Sequence, residues 1–223
     1  MKNKLPKLIV VCGPTASGKT DLAIVLAKKF NGEIVNADSR QIYKEMDIAT
    51  AKPTPDYGLQ TPDYIVDGIN HYLLDIINPD ENFTLSDYKD QAQKTIKEII
   101  KKGKIPFLVG GTGLYIKAIV DNLEIPRVEP DLVLRRELES KSAEERIKML
   151  KEIDPETYEK IDIQNPRRVI RALEVVLSTG ESFLKQQKKG KPLYDVLQLG
   201  IKVDKENLYE RINKRCEKMI EAG

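Results

Sequence analysis

Residues 7–20 constrain the fold of this chain more than any other stretch. Lys7-Leu-Ile-Val-Val-Cys12 is a short, unbroken, β-branched apolar run closed by Gly13-Pro14. Such a run reads as a strand buried on both faces, as in a parallel sheet. Gly13, Pro14, Thr15, Ala16, Ser17, Gly18, Lys19 and Thr20 follow in the spacing of a phosphate-binding loop. Gly18 to Phe30 then carries Leu22, Val25, Leu26 and Lys29 at helical spacing. Strand, glycine loop and helix belong together chemically. Glycines let backbone N–H groups turn inward around phosphate oxygens, and the helix N-terminus adds partial positive charge. Lys19 supplies a mobile full charge, and the Thr20 hydroxyl suits Mg²⁺.

The chain continues by alternation. Glu33-Ile-Val-Asn36 is a second strand candidate. Thr84 to Lys102 predicts a helix with Tyr88, Ala92, Thr95, Ile96 and Ile99 on one stripe and Gly103 as its stop. Lys104 to Val109 is a third strand ending in Gly110-Gly111, and Leu114 to Asn122 the next helix. Alternation of this kind predicts an α/β core with a mainly parallel sheet and right-handed crossovers. From Glu124 to Gly180 no strand-like run occurs. Ser142-Ala-Glu-Glu145 is a capping box. Asn165-Pro166 opens a helix whose stripe is Val169, Ile170, Leu173, Val176 and Leu177. Asp195 to Val203 returns to strand alternation, and Asp204 precedes a helix carrying Leu208, Ile212, Met219 and Ile220. The expected organisation is an α/β core over 1–123, an inserted all-helical subdomain over 124–192 and a return to the core over 193–223. The stretch 51–83, with four prolines, carries no clear pattern.

Composition removes several classes. The longest apolar run, Leu22–Ala27, is six residues, against the ~20 that span a bilayer. Met1-Lys-Asn-Lys-Leu-Pro has no apolar core of a secretory signal. Two cysteines, Cys12 and Cys216, make neither a disulfide framework nor a four-ligand zinc site, and they are expected to fill the core. A cytoplasmic protein without a membrane partner, and a monomer, is the expectation. The net charge of +2 names no partner, but its distribution is uneven. Thr54 to Asp90 holds eight acids and one lysine (1 − 8 = −7), and Gln164 to Lys191 holds seven bases and two acids (7 − 2 = +5). The imbalance suits an anion larger than a metabolite, or simply two solvated faces.

A phosphate-binding loop does not state what happens to the phosphate. Hydrolysing NTPases place an acidic Mg²⁺ ligand at a strand end, whereas the third strand here ends in two glycines. The nearest such acid is Asp38, in Asp38-Ser39-Arg40-Gln41 after the second strand. Strand C-termini form the ligand crevice of an open parallel sheet, so Asp38 is placed as a base or Mg²⁺ ligand. The competing reading makes Asp38 or Ser39 a helix N-cap. The lone histidine, His71, beside Tyr72-Leu73-Leu74, reads as a packed structural residue.

Five motifs occur in order: Gly13 to Thr20, Asp38-Ser-Arg-Gln-Ile-Tyr43, Met46-Asp-Ile-Ala-Thr-Ala-Lys-Pro53, Gly110-Gly-Thr-Gly-Leu-Tyr115, and Asn165-Pro-Arg-Arg-Val-Ile-Arg-Ala-Leu-Glu174. Together they resemble the tRNA dimethylallyltransferase (isopentenyltransferase) family nearly end to end. The resemblance implies a kinase-like core with a helical insertion. It implies transfer of a dimethylallyl group from dimethylallyl diphosphate to N6 of adenosine 37, with Mg²⁺. Under it, Gly13 to Thr20 and Arg215 hold the diphosphate, with Lys19 also catalytic and Thr20 on the metal. Asp38 is the general base and Thr112 touches the adenosine, unless Thr112 is only the N-cap of the helix after it. Asp38, Ser39, Arg40, Gln41, Thr112, Arg135, Gln164, Asn165, Pro166, Arg167 and Arg168 meet the tRNA, at the anticodon stem-loop. Arg211 and Arg215 reach the diphosphate or pair with Glu210 and Glu217. Two departures stand out. His71-Tyr72 replaces a His-His pair, and the family continues for several tens of residues beyond this end.

Two other classes remain open on the residues alone. A small-molecule or nucleoside kinase would use ATP, with Asp38 on the acceptor hydroxyl and Arg167 and Arg168 in a lid. A nucleotide-sensing RNA binder would bind tRNA and transfer nothing.

Overall fold

The computed structural model describes residues 4–56, 64–126, 128, 131–186 and 188–221. In chain order its elements are β1 (Lys7–Cys12), α1 (Lys19–Phe30), β2 (Gly32–Asn36), β3 (Tyr64–Val66), β4 (Ile69–Tyr72), α2 (Leu85–Lys101), β5 (Ile105–Gly110) and α3 (Gly113–Val120). There follow α4 (Leu132–Ser140), α5 (Ala143–Ile153), α6 (Pro155–Lys160), α7 (Pro166–Thr179), α8 (Phe183–Gln186), β6 (Asp195–Gly200) and α9 (Lys205–Glu221). Two compact units result, one of 1–122 with 191–223 and the other of 123–190.

The first unit is built on a six-stranded sheet in the order β3-β4-β2-β5-β1-β6. Every neighbouring pair is parallel except β3 with β4. Strand alternation sends Val10 and Val11 to opposite faces. On one face Leu8, Val10, Val35 and Leu108 pack with Tyr88, Ala92, Ile96 and Ile99 of α2 and Ile116 and Ile119 of α3. On the other, Val11, Ile34, Phe107 and Val109 meet Ala23, Ile24 and Ala27 of α1. Each buried Leu, Ile, Val or Phe contributes about 1.5–3 kcal/mol. The register sets Cys12 beside Gly110 and Gly200, and Asn36 beside Val109. Four strand ends therefore open on one edge of the sheet, where a ligand crevice belongs.

Local chemistry explains the element ends. Thr84 and Asp87 form a reciprocal capping box at the start of α2, and Gly103 follows its end at φ 72°. Asp67 (φ 50°) and Gly68 (φ 75°) connect β3 to β4, with Val66 opposite Ile69. Two consecutive left-handed residues make the type I′ turn that matches strand twist. The Asp56 carboxylate accepts from both turn N–H groups, at 2.9 and 2.8 Å.

Among its described residues the second unit's regular structure is helical apart from one antiparallel bridge, Leu123 with Lys189. Its core is Leu138, Leu150, Val169, Ile170, Ala172 and Leu173. Ser142 and Glu145 cap α5 reciprocally, and the Asn165 side chain accepts from Arg168 N at the start of α7. Buried Glu174 ties the unit together. It accepts two bonds from Arg135 (2.8 and 3.0 Å), one from Arg171 (2.5 Å) and one from Asp131 N (2.9 Å). Burial alone would raise its pKa, but these donors outweigh that and lower it.

Several expectations are corrected. The inward face of α1 is Ala23, Ile24 and Ala27, while Val25 is 61% exposed and Leu22 also faces out; small alanines let the helix lie close to the sheet. Leu177 is exposed, because α7 turns Ala172, Leu173, Val175 and Val176 inward. No residue of α9 is fully buried, Ile220 included. Cys12 is only half-buried and Cys216 is exposed, so neither fills a core. The β3–β4 hairpin adds an antiparallel edge to the parallel sheet. The opening Met-Lys-Asn and part of the acidic stretch, 57–63, lie outside the described residues. Among the described residues no helix is long and apolar enough to cross a membrane.

Candidate active site

The loop after β1 curls through left-handed backbone at Ala16 (φ 62°) and Gly18 (φ 82°) before α1 begins at Lys19. Lys19 Nζ folds back to donate to Pro14 O at 2.7 Å. Burial lowers the Lys19 pKa; Asp38 opposes that effect and Arg215 reinforces it. Ser17 is buried with an unpartnered hydroxyl, and the Thr20 hydroxyl makes no hydrogen bond among the described residues.

Across the same edge, β2 delivers Asp38. The strand order requires the two turns to approach closely: a Cβ on Gly110 would lie 2.2 Å from Ala37 C and O. Only glycine fits there. Ala37 N donates to Val109 O (2.7 Å), and Thr112 N donates to Ala37 O (3.1 Å). The Thr112 hydroxyl accepts from Ser39 N (2.9 Å) and donates to Ser39 Oγ (3.2 Å). Thr112 occupies the N-cap position of α3 without a side-chain capping bond, so its hydroxyl serves the Asp38 turn instead. Asp38 Oδ1 accepts from Arg40 N at 2.9 Å, an Asx turn with no helix after it. Its other oxygen, Oδ2, accepts nothing from the described residues. Gln41 Nε2 donates to Thr50 O and Ala51 O.

These pieces line one cleft of about 630 Å³, with Thr15 to Thr20, Asp38, Arg40, Gln41 and Arg215 on its wall. Ile34, Leu74, Val109 and Met46 give it an apolar floor and side. Arg215 donates to Ala49 O at 3.3 Å, while Glu210 pairs with Lys214 at 2.6 Å. The cleft therefore has three cations, Lys19, Arg40 and Arg215, and two carboxylates, half-exposed Asp38 and exposed Asp21. Gly13 and Pro14 instead line a second cleft of about 560 Å³, with Cys12, Gly110, Gly111 and Ile116. Ser39 and Thr112 sit in the second row behind Asp38.

The remaining predicted residues belong to the second unit. Arg135 is forked onto Glu174, which raises its pKa and leaves no free fork. Arg171 shares that carboxylate. Gln164, Pro166, Arg167 and Arg168 are exposed at the start of α7, and the two arginines pair with no carboxylate among the described residues. Asn165 is occupied as the cap.

Three further residues shape the site: Lys52, within the Met46–Pro53 motif, His71, read from the sequence only as packed, and Asn36, outside every motif quoted above. Lys52, 8% exposed, binds Tyr43 O (2.8 Å), Asp47 (2.6 Å) and Asp75, and so fixes the Met46–Pro53 loop along the cleft. His71 is buried as expected, yet it also lines the cleft; its Nδ1 meets Ile69 O and its Nε2 has no partner. Burial lowers its pKa, which keeps the ring neutral. Asn36, which also lines the cleft, holds the Asp38 N–H and C=O through its side-chain amide.

Fold and cleft define a phosphate-loop α/β protein in which the loop shares its cleft with Asp38, and among the described residues no cluster of metal-binding acids occurs. The model of the IPP transferase family matches residues 41–223. A tRNA dimethylallyltransferase of Acetivibrio thermocellus is 46% identical over 98% of this chain and 70% of its own length. The full-length tRNA isopentenylpyrophosphate transferase of Bacillus halodurans matches at TM-score 0.63 and 39% identity, over 97% of this chain and 67% of that one. A eukaryotic dimethylallyltransferase acting on tRNA matches at TM-score 0.78 and 31% identity, over 98% and 54%. The chain belongs to the IPP transferase family.

Proposed function

We propose that this chain transfers a dimethylallyl group from dimethylallyl diphosphate to N6 of adenosine 37 in tRNA. The observation that carries this reading is the shared cleft: Lys19, Arg40 and Arg215 line it as sites for an anion, and Asp38, with one oxygen unused among the described residues, lines the same space. The relatives' activity points the same way.

The exocyclic amine of adenine is a poor nucleophile, because its lone pair is delocalised into the ring. The N6 lone pair attacks C1 of the allyl group, and the C1–O bond breaks with its electrons leaving on diphosphate. Lys19, Arg215 and the loop amides stabilise that growing negative charge. Asp38 Oδ2 takes the N6 proton, a role worth typically about 10²–10⁴-fold. The apolar floor suits the prenyl chain. A stacked base must be extruded to reach such a cleft.

Mg²⁺ fits the donors available. Among the described residues no group of three or more His, Cys, Asp or Glu could hold a metal, so a cation here would lean on diphosphate oxygens, as Mg²⁺ does. The unpartnered Thr20 hydroxyl would take one position on it. Bound there, Mg²⁺ would neutralise charge on the leaving diphosphate.

In the second unit, Arg167 and Arg168 at the start of α7 suit phosphate oxygens of the anticodon stem. Arg135 supports its own unit instead, through Glu174.

The test is direct. Incubation with dimethylallyl diphosphate labelled in the allyl group, with and without tRNA, is expected to move label to an N6-substituted adenosine. Labelled ATP is expected to transfer nothing. Phosphate transfer from ATP without prenyl transfer would overturn the reading. Replacing Arg167 and Arg168 with alanine is expected to lower the salt slope of tRNA binding by up to about 2.

A further inference from the structure

A general base must be aimed as well as present, and the groups that aim Asp38 can be counted. Around residues 36–40 nearly every backbone polar group is spoken for. Ala37 uses Val109 O and Thr112 N, Ser39 N uses Thr112 Oγ1, and Arg40 N uses Asp38 Oδ1. The Asp38 peptide itself is held by one side chain. Asn36 Oδ1 accepts from Asp38 N at 3.1 Å, and Asn36 Nδ2 donates to Asp38 O at 3.1 Å and to Leu73 O at 3.0 Å.

Only one orientation of the amide satisfies this set, because two carbonyls face one end and an N–H faces the other. Asn36 is 5% exposed. Both of its amide hydrogens are used inside the protein, so it has no donor left for a substrate. Its own carbonyl accepts from the hydroxyl of Tyr88 at 2.9 Å, and Tyr88 is fully buried and stacked on Tyr115 at 3.7 Å. The clamp thus rests on the core beneath α2 and α3 through Tyr88, and on the turn after β4 through Leu73 O.

We propose that Asn36 is the positioning residue for Asp38: its side-chain amide fixes the Asp38 peptide against the end of β4, and so aims Oδ2 into the cleft. The proposal rests on the base reading above. It assigns Asn36 no contact with either substrate, and it separates Asn36 from Thr112, which fixes the next peptide along.

A double-substitution cycle in single-turnover transfer tests it. Asn36→Ala is expected to slow transfer about 10–100-fold, the scale of a displacement near 1 Å. Binding of inorganic diphosphate and of tRNA should stay within about twofold, since Lys19, Arg215 and α7 are untouched. In an Asp38→Ala background, Asn36→Ala should add less than about twofold, because the group it aims has gone. Asn36→Ser, which keeps an acceptor for Asp38 N, is expected to fall between Asn36→Ala and the unsubstituted chain. It also carries the cycle if Asn36→Ala fails to fold. A full second loss in the Asp38→Ala background, or wild-type transfer by Asn36→Ala, overturns the proposal. Wild-type transfer by Asp38→Ala alone overturns the base reading, and the role of Asn36 with it.

Discussion

The two ends of β2 carry two acids treated in opposite ways. Glu33, near the start of the strand, is 1% exposed and accepts from Lys104 (2.7 Å), Tyr72 (2.8 Å), Asn70 (3.0 Å) and Lys102 (3.3 Å). Burial pushes its pKa up, but those four donors outweigh burial and bring it to about 2. Asp38, two residues past the strand, has one oxygen used by its own turn and one left over. A carboxylate whose lone pairs are all engaged has nothing to offer a substrate; one held rigidly by its backbone but left open at one oxygen can take a proton. Within a few residues of one strand, satisfaction separates scaffold from chemistry.

The contrast can be broken from the scaffold side first. Glu33→Ala is expected to cost about 1–3 kcal/mol, because half-buried Tyr72 and Asn70 lose their shared acceptor while the partly exposed Lys102 and Lys104 turn to water. Urea unfolding reads that loss, and the folded fraction should still bind diphosphate. Thr112→Val comes next. Loss of the hydroxyl that holds Ser39 N is expected to slow transfer about 10–100-fold, with about 1–2 kcal/mol off stability for one unmade bond. Tyr72→Phe removes one of four donors to Glu33 and is expected to cost about 1 kcal/mol.

Acid sharpens the same comparison. Glu33 has a folded pKa below its unfolded value of 4.5. Its contribution is therefore complete above pH 4.5 and is lost as pH falls toward about 2. Tyr72→Phe should raise the folded pKa of Glu33 and move the acid limb of unfolding toward higher pH. An unmoved limb would mean that Tyr72 does not set it.

Much of this was legible in the sequence because it was local. The loop from Gly13 to Thr20, the Thr84 start and Gly103 stop of α2, the capping box at Ser142, and the Asn165-Pro166 start of α7 are all short-range patterns. The β3–β4 hairpin had a local mark in Asp67-Gly68, but the prolines around it obscured the alternation. The inward face of α1 was misjudged because its bulkiest residues, Leu22 and Val25, face out while alanines face in. Long-range pairing was not legible at all. Nothing in the sequence ties Arg135 to Glu174, Thr112 to Ser39, or Asn36 to Leu73. Those contacts distinguish an arginine that braces a helical unit from one that faces solvent, and a threonine that caps a helix from one that fixes the Asp38 turn.

Asp38→Asn provides the most direct measurement. It keeps the shape of the turn and the acceptor for Arg40 N, and removes only the carboxylate proposed as the base. Single-turnover transfer of the labelled allyl group to tRNA is expected to fall about 10²–10⁴-fold, while inorganic diphosphate binds as tightly as before, or tighter with a negative charge gone from beside Lys19. Transfer at the original rate would contradict the account.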